Sequence, residues 1–427
     1  MNEIEAVGQE ALLEPLPKGG AAGKERPWLF ALLIAPSAVL ANGVVQGGVL
    51  SYLLRNQGIG TGRQSHIIWV LSLPTMIYFL WSPITDFLMR RRTWLLCGSV
   101  AAGALMATAF HMGRLDSRGA MVLMFAAACC TQLVVSSCGG MMGALRVERS
   151  KRVACSFYQG GGLGFGAAAV FVLVSRAETL SRPALGLLAA ALIAVPGLFA
   201  LAAPKQEVIA DHAFVKTMRR IWTEFKSTFL RWAAIPYTLL MIFPLASGAA
   251  VGLLPGVARD YGVNGQHVAW VNGLGGALVM AAGSLAATLI AARFQASVAY
   301  LTLALVNSGT LGVLWLGPLR PSTYYLGLML YLFTIGTCYA MFTAVVLEFM
   351  GHSGKSGSGR YSIINSLGNV PVVYMIAVDG WGGGKWGARG LAGTEAVVGA
   401  IGAVILLAYF LARKETNVPA DEVAVQA

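Results

Sequence analysis

Runs of about twenty mainly apolar residues follow one another along almost the whole chain, and this succession restricts the fold more than any motif does. The hydrocarbon core of a bilayer needs roughly 20 such residues for each helical crossing. The runs expected to cross are 28–53, 66–85, 94–112, 120–144, 153–174 and 184–203, then 233–257, 267–291, 298–318, 322–348, 361–378 and 391–412. The expectation is an all-α membrane protein of twelve transmembrane helices. Its organisation is a tail at 1–27, a six-helix bundle at 28–203, a linker at 204–232, a second six-helix bundle at 233–412 and a tail at 413–427.

Composition enters where it excludes alternatives. Of the 427 residues, 56% are hydrophobic and only 12% charged, against about 25% charged in a soluble domain. The net charge of +12 comes from bases scattered over short loops, with no patch of interleaved aromatics, so no nucleic-acid partner is expected. With the N-terminus inside, the inner segments carry 21 of the 31 Lys and Arg residues and the outer loops 10. That bias predicts an even number of spans with both termini cytoplasmic. Residues 1–27 lack the basic start and short apolar core of a cleaved signal and read as a cytoplasmic tail. The six cysteines fall in or beside apolar runs without metal-type spacing and read as packing residues. The run Gly160-Gly161-Gly162-Leu163-Gly164-Phe165-Gly166 fits a loose dinucleotide pattern but follows no strand; its glycines serve close helix contact. No cofactor is expected, and no metal, because His66, His111, His212, His267 and His352 are dispersed.

The sharpest local motif is Trp81-Ser82-Pro83-Ile84-Thr85-Asp86-Phe87-Leu88-Met89-Arg90-Arg91-Arg92, an acid at the end of span 2 followed by a basic cluster. It resembles the loop between helices 2 and 3 of the major facilitator superfamily, with Phe87 where that family usually has a base. The resemblance implies two six-helix pseudo-repeat bundles and a cytoplasmic gate at Asp86, Arg90, Arg91 and Arg92. Asn42 to Arg55, Leu73-Pro74 and Phe79-Leu80-Trp81-Ser82-Pro83 together resemble the AmpG-like permeases, which carry muropeptides, siderophores or acetyl-CoA. Tyr78 stands where the muropeptide branch often has a lysine, and span 4 lacks that branch's acids.

Polar residues at i, i+4 spacing present one face of a helix. Asn42 and Gln46 on span 1, Gln132 and Ser136 on span 4, and the stripe Tyr331, Thr334 and Cys338 on span 10 are expected to line a substrate cavity, because helices 1, 4, 7 and 10 do so in the family resembled. Asn365 and Asn369 on span 11, with Glu348 and Glu395, are candidates for proton coupling or for the contact between halves. Pro236, Pro244 and Pro255 interrupt span 7, as in the bending helices of transporters.

The expected function is a secondary transporter of the AmpG-like type, a multi-pass protein of the bacterial inner membrane. It would move a polar organic solute such as a muropeptide or siderophore by alternating access, with protons as coupling ion, and act as a monomer in the lipid bilayer. No Walker sequence is present to power ATP-driven transport. The alternatives are a membrane-embedded enzyme or a non-transporting sensor of cell-envelope intermediates. An enzyme should cluster acids, histidines or metal ligands at one depth.

Overall fold

The computed structural model describes residues 26–77, 81, 84–85, 89–143, 145, 148–203, 219, 222–223, 225–226, 229, 234–291, 293–351 and 358–416. Most of the 204–232 linker therefore lies outside the described residues. Helix is the only regular element among those described, as expected where lipid offers the backbone no hydrogen-bond partner.

Among the described residues, eight helices are long and apolar enough to span a bilayer unaided, and a bent pair, Leu29–Val45 with Val49–Asn56 at 43°, supplies span 1. Three further crossings are hidden by their geometry. Span 2 begins as Thr61–Met76. Span 7 is broken into Ile235–Ile242 and Ala249–Val257. Spans 11 and 12 run together as Ser358–Thr416, broken at Trp386 and Gly387. The chain reverses there: Gly382 lies against Gly390 and Thr394, positions that a straight helix would hold far apart. Spans 3 to 6 are Arg91–His111, Arg118–Gly143, Glu148–Arg176 and Arg182–Gly197. Span 8 extends from Gly265 to Ala291, span 9 is Ala296–Leu316 and span 10 is Pro321–Gly351.

The segment 380–387 reads in sequence as a glycine-rich outer loop; in the structure span 11 continues helically through it as far as Lys385. Its glycines are packing surfaces: Gly380 abuts Ser65, and Gly383 lies 2.8 Å, measured from an ideal Cβ, from Thr61 of span 2. The contacts between bundles include spans 2 with 11, 5 with 8, 1 with 7 and 2 with 7. Lipid-facing surface is apolar, as on span 8, where Leu278, Leu285 and Leu289 are each more than two-thirds exposed.

Spans 1 and 8 both carry π-helical segments, Ala38–Val45 and Ala269–Leu274. Span 1 then bends at Gly48, whose φ of +92° suits a residue without Cβ, and any Cβ there would collide with the ring of Pro255. The break in span 7 is steadied by tyrosines. Tyr374 donates to the Ile242 carbonyl, Tyr300 to that of Leu245 and Tyr339 to that of Ser247, at 2.9, 3.1 and 3.2 Å. These hydroxyls satisfy backbone groups that the break frees at membrane depth.

Candidate functional site

A cavity of about 260 Å³ lies where the bundles meet, walled by spans 1, 5, 7, 8, 10 and 11. The two π segments each turn an amide toward it: Asn42 from span 1 and Asn272 from span 8. A π turn inserts an extra residue and redirects the side chains around it, which is why such turns collect at functional sites. The Asn42 Nδ2 donates to the Gly162 carbonyl at 3.3 Å, and the Asn272 Nδ2 to the Tyr324 hydroxyl at 3.0 Å. Gln46, Gln159 and Tyr339 add further polar groups, while Leu332, Ile335, Val372 and Ile376 give an apolar wall. The lining is neutral, with no Lys, Arg, Asp or Glu among the described residues.

Of the expected cavity residues, Asn42 and Gln46 line this space. Gln132 does not; it is buried and meets Gln46 in a narrow crevice between spans 1, 2 and 4. Ser136 is also buried outside the lining. The stripe Tyr331, Thr334 and Cys338 points away from the cavity. Cys338 is fully buried, Thr334 accepts from Asn307 of span 9 at 2.7 Å, and Tyr331 donates to Glu395 of span 12 at 2.6 Å. The physical reason is rotation by one residue, about 100° on a helix. The more polar stripe turns inward, where Tyr331 and Thr334 find partners, and Leu332, Ile335 and Tyr339 face the cavity instead. Asn272, Gln159 and Tyr339 are lining residues that the polar stripes do not pick out. Asn272 carries a signal of its own, as an amide in an otherwise apolar span.

Arg91 and Arg92 contact helix ends of their own bundle. Arg91 donates to the Gly140 carbonyl at 2.6 Å and Arg92 to that of Ala203 at 3.5 Å, at the C-terminal ends of spans 4 and 6, where a cation is favoured. Arg90 is exposed. Asp86 lies outside the described residues, as do the side chains of Glu348 and Asn365; Asn369, on the same span as Asn365, is half-buried.

At the end of the molecule away from residues 26 and 416, polar contacts tie the two bundles. Arg55 of span 1 meets Asp260 beyond span 7 at 2.6 Å. Glu178, held by the Tyr52 hydroxyl of its own bundle at 2.9 Å, is approached by Arg259 of the other bundle at 3.9 Å. These contacts close that end above the cavity.

Glu395 sits behind the cavity wall. It is 4% exposed and accepts from Ser247 at 2.8 Å, from the backbone amide of Ala250 at 2.7 Å and from Tyr331. Asp379, one helical turn beyond the cavity-lining Ile376, faces it across the span 11–12 hairpin and is 0% exposed. The sequence places Asp379 near a span end within reach of water; the helical continuation of span 11 buries it instead.

No family model matches the chain, and no curated protein resembles it in sequence. Solved structures do resemble it. A POT family transporter in complex with 5-aminolevulinic acid superposes with a TM-score of 0.69 at 13% identity, over 92% of this chain and 98% of that one. A point mutant of the nucleoside transporter NupG gives 0.68 at 13% over 90% and 99%. A D-xylose–proton symporter gives 0.64 at 11% over 89% and 95%. At such identities the likeness concerns architecture, and it extends over both bundles: the chain has the twelve-helix major facilitator fold.

Proposed function

We propose that this chain is a secondary transporter that carries a small polar organic solute through the inner membrane by alternating access. The observation that supports this best is the neutral, amide-lined cavity between two bundles joined at one end by the Arg55–Asp260 and Arg259–Glu178 pairs, which rocking would break. Asn42, Gln46, Asn272 and Gln159 offer donors and acceptors without fixed charge, which suits hydroxyl, amide or ring-nitrogen groups better than a strongly charged ion. Sites for small organic ligands occupy about 300–1,000 Å³. At about 260 Å³ the cavity in this conformation holds a solute of monosaccharide or nucleoside size. A larger cargo of the AmpG-like type, a muropeptide or siderophore, needs the bundles further apart.

In this reading the termini are cytoplasmic, the Arg55–Asp260 end faces outward, and the arginines after span 2 act with Asp86 at the inner face. Proton-driven uptake is part of the proposal. The test is uptake into proteoliposomes of radiolabelled monosaccharides, nucleosides, a muropeptide and a ferric siderophore, with and without an inward proton gradient. The expected result is saturable, gradient-stimulated uptake of one class, with KM raised about tenfold in Asn42→Ala, the loss of one well-placed hydrogen bond being worth about 1 kcal/mol or more. Uptake by none of the panel from a correctly folded protein overturns the cargo reading.

A further inference from the structure

We propose that Asp379 and Glu395 form a proton-binding site that holds one exchangeable proton between them and sets the state of the hinge in span 7; its link to uptake rests on the transport reading above. Asp379 and Glu395 face each other across the span 11–12 hairpin, where Gly382 packs on Gly390 and Thr394, and both oxygens of the fully buried Asp379 have no hydrogen-bond partner. A proton on one of two buried, facing carboxyl groups removes the repulsion that two adjacent carboxylates suffer where little water screens them. The donor inventory assigns it. Glu395 already receives three donors, from the Ser247 hydroxyl, the Ala250 amide and the Tyr331 hydroxyl. It is the carboxylate. Asp379 receives none and is the acid, donating its proton to Glu395.

The groups facing the pair come from every neighbouring element. Span 7 offers Ser247 and the first turn of helix Ala249–Val257, and span 10 offers Tyr331, with Tyr339 beyond Ser247. Span 2 brings Ser65 beside Gly380, and span 9 brings Ser308 beside Gly399. Among the described residues no Lys, Arg or His reaches either carboxyl. Asp379 is six residues before Lys385, so the pair lies about 9 Å below the hairpin end along the helix. Ser247, which donates to Glu395, is followed by the cavity-lining Gly248 and Ala249, so the cavity is the route by which the proton would pass to water.

The hinge explains what the proton does. Ala246 holds a φ of +45°, a left-handed conformation that an L-residue adopts at a cost of about 1 kcal/mol or more, and Gly248 follows at +78°. Glu395 clamps this segment from Ser247 to Ala250. When Asp379 releases its proton, two like charges face each other, Glu395 is driven from its donors, and the strained segment loses its clamp.

The experiment uses the purified full-length protein in nanodiscs and needs no substrate. Infrared difference spectroscopy on alkaline titration should show one buried carboxylic-acid carbonyl band in the wild type. That band should be absent in Asp379→Asn, whose amide supplies Glu395 with a permanent donor. Hydrogen–deuterium exchange of residues 243–250 at matched pH should rise at least tenfold, beyond the intrinsic rate, as the wild-type band disappears, and stay flat in Asp379→Asn. A wild type without the band, or a band that persists in Asp379→Asn, overturns the site; exchange that ignores the band overturns the hinge. If the band and the exchange behave as stated while no cargo moves, the transport reading fails and the proton site stands. Gradient-driven uptake that survives in Asp379→Asn with its gradient dependence intact overturns the coupling.

Discussion

Arg55 and Asp260 show how little energy a single residue pair needs to matter in a molecule poised between conformations. Their side chains are 32% and 27% exposed, so the pair contributes about 0.5–1 kcal/mol after screening. Subtracting that from the closed state shifts the balance of states by roughly two- to fivefold. Asp260→Asn should therefore raise the rate at which a maleimide reaches a cysteine placed at Ser51, which is fully buried here, by about that factor. High salt should mimic the variant. An unchanged rate in both conditions would exclude the pair from closing this end. A second residue-scale expectation concerns Tyr331. Tyr331→Phe removes one of three donors to a buried carboxylate and should lower stability by about 1–3 kcal/mol, read as a fall in the detergent melting temperature. The sequence shows Tyr331 as one of three polar positions on span 10 but not which way they face. One residue of rotation separates the cavity wall from the bundle interior, and only packing against spans 9 and 12 decides it.

The elements were legible where their period was regular and obscured where they break. Spans 3 to 6 and 8 to 10 follow from hydropathy because an apolar helix of twenty-odd residues has few other readings. The segment 380–387 defeated that logic, since five of its eight residues are glycine and glycine usually marks a loop. In a membrane bundle glycine also allows backbones to touch, and here it seats span 11 on span 2 and on span 12. A loop at this point would put Asp379 at the surface, out of reach of Glu395 sixteen positions later, which is why their contact is invisible in the sequence. Gly48 permits an element-scale test. Its left-handed φ and the Pro255 ring beside it leave no room for a side chain, so Gly48→Ala should cost about 1–3 kcal/mol and lower the melting temperature. Gly58→Ala makes the control, because it shares a positive φ, +76°, but has no neighbour within 4 Å. Equal losses in the two variants would assign the whole cost to the dihedral and none to the span 1–span 7 contact.

Across the whole molecule, transport by rocking requires the bundles to separate at the Arg55–Asp260 end, and the geometry offers a way to forbid it. Gly62 at the start of span 2 and Gly384 near the end of span 11 belong to different bundles. A Cβ built on Gly62 lies 3.7 Å from the Gly384 Cα, and one built on Gly384 lies 3.5 Å from the Gly62 Cα. That closeness suits a disulfide, whose Cβ atoms sit about 3.8 Å apart. In a background with the exposed Cys97 and Cys155 replaced, Gly62→Cys with Gly384→Cys should cross-link on oxidation and hold that end shut. The cavity would stay intact, because neither residue lines it. The oxidised protein should thus still bind its solute but lose net uptake, and a reductant should restore it. Each single variant reports the cost of its own side chain, so a loss seen only in the oxidised double variant belongs to the constraint. Full uptake with the cross-link formed would mean that solute passes without these bundles parting at this end, and the alternating-access reading would fall with it.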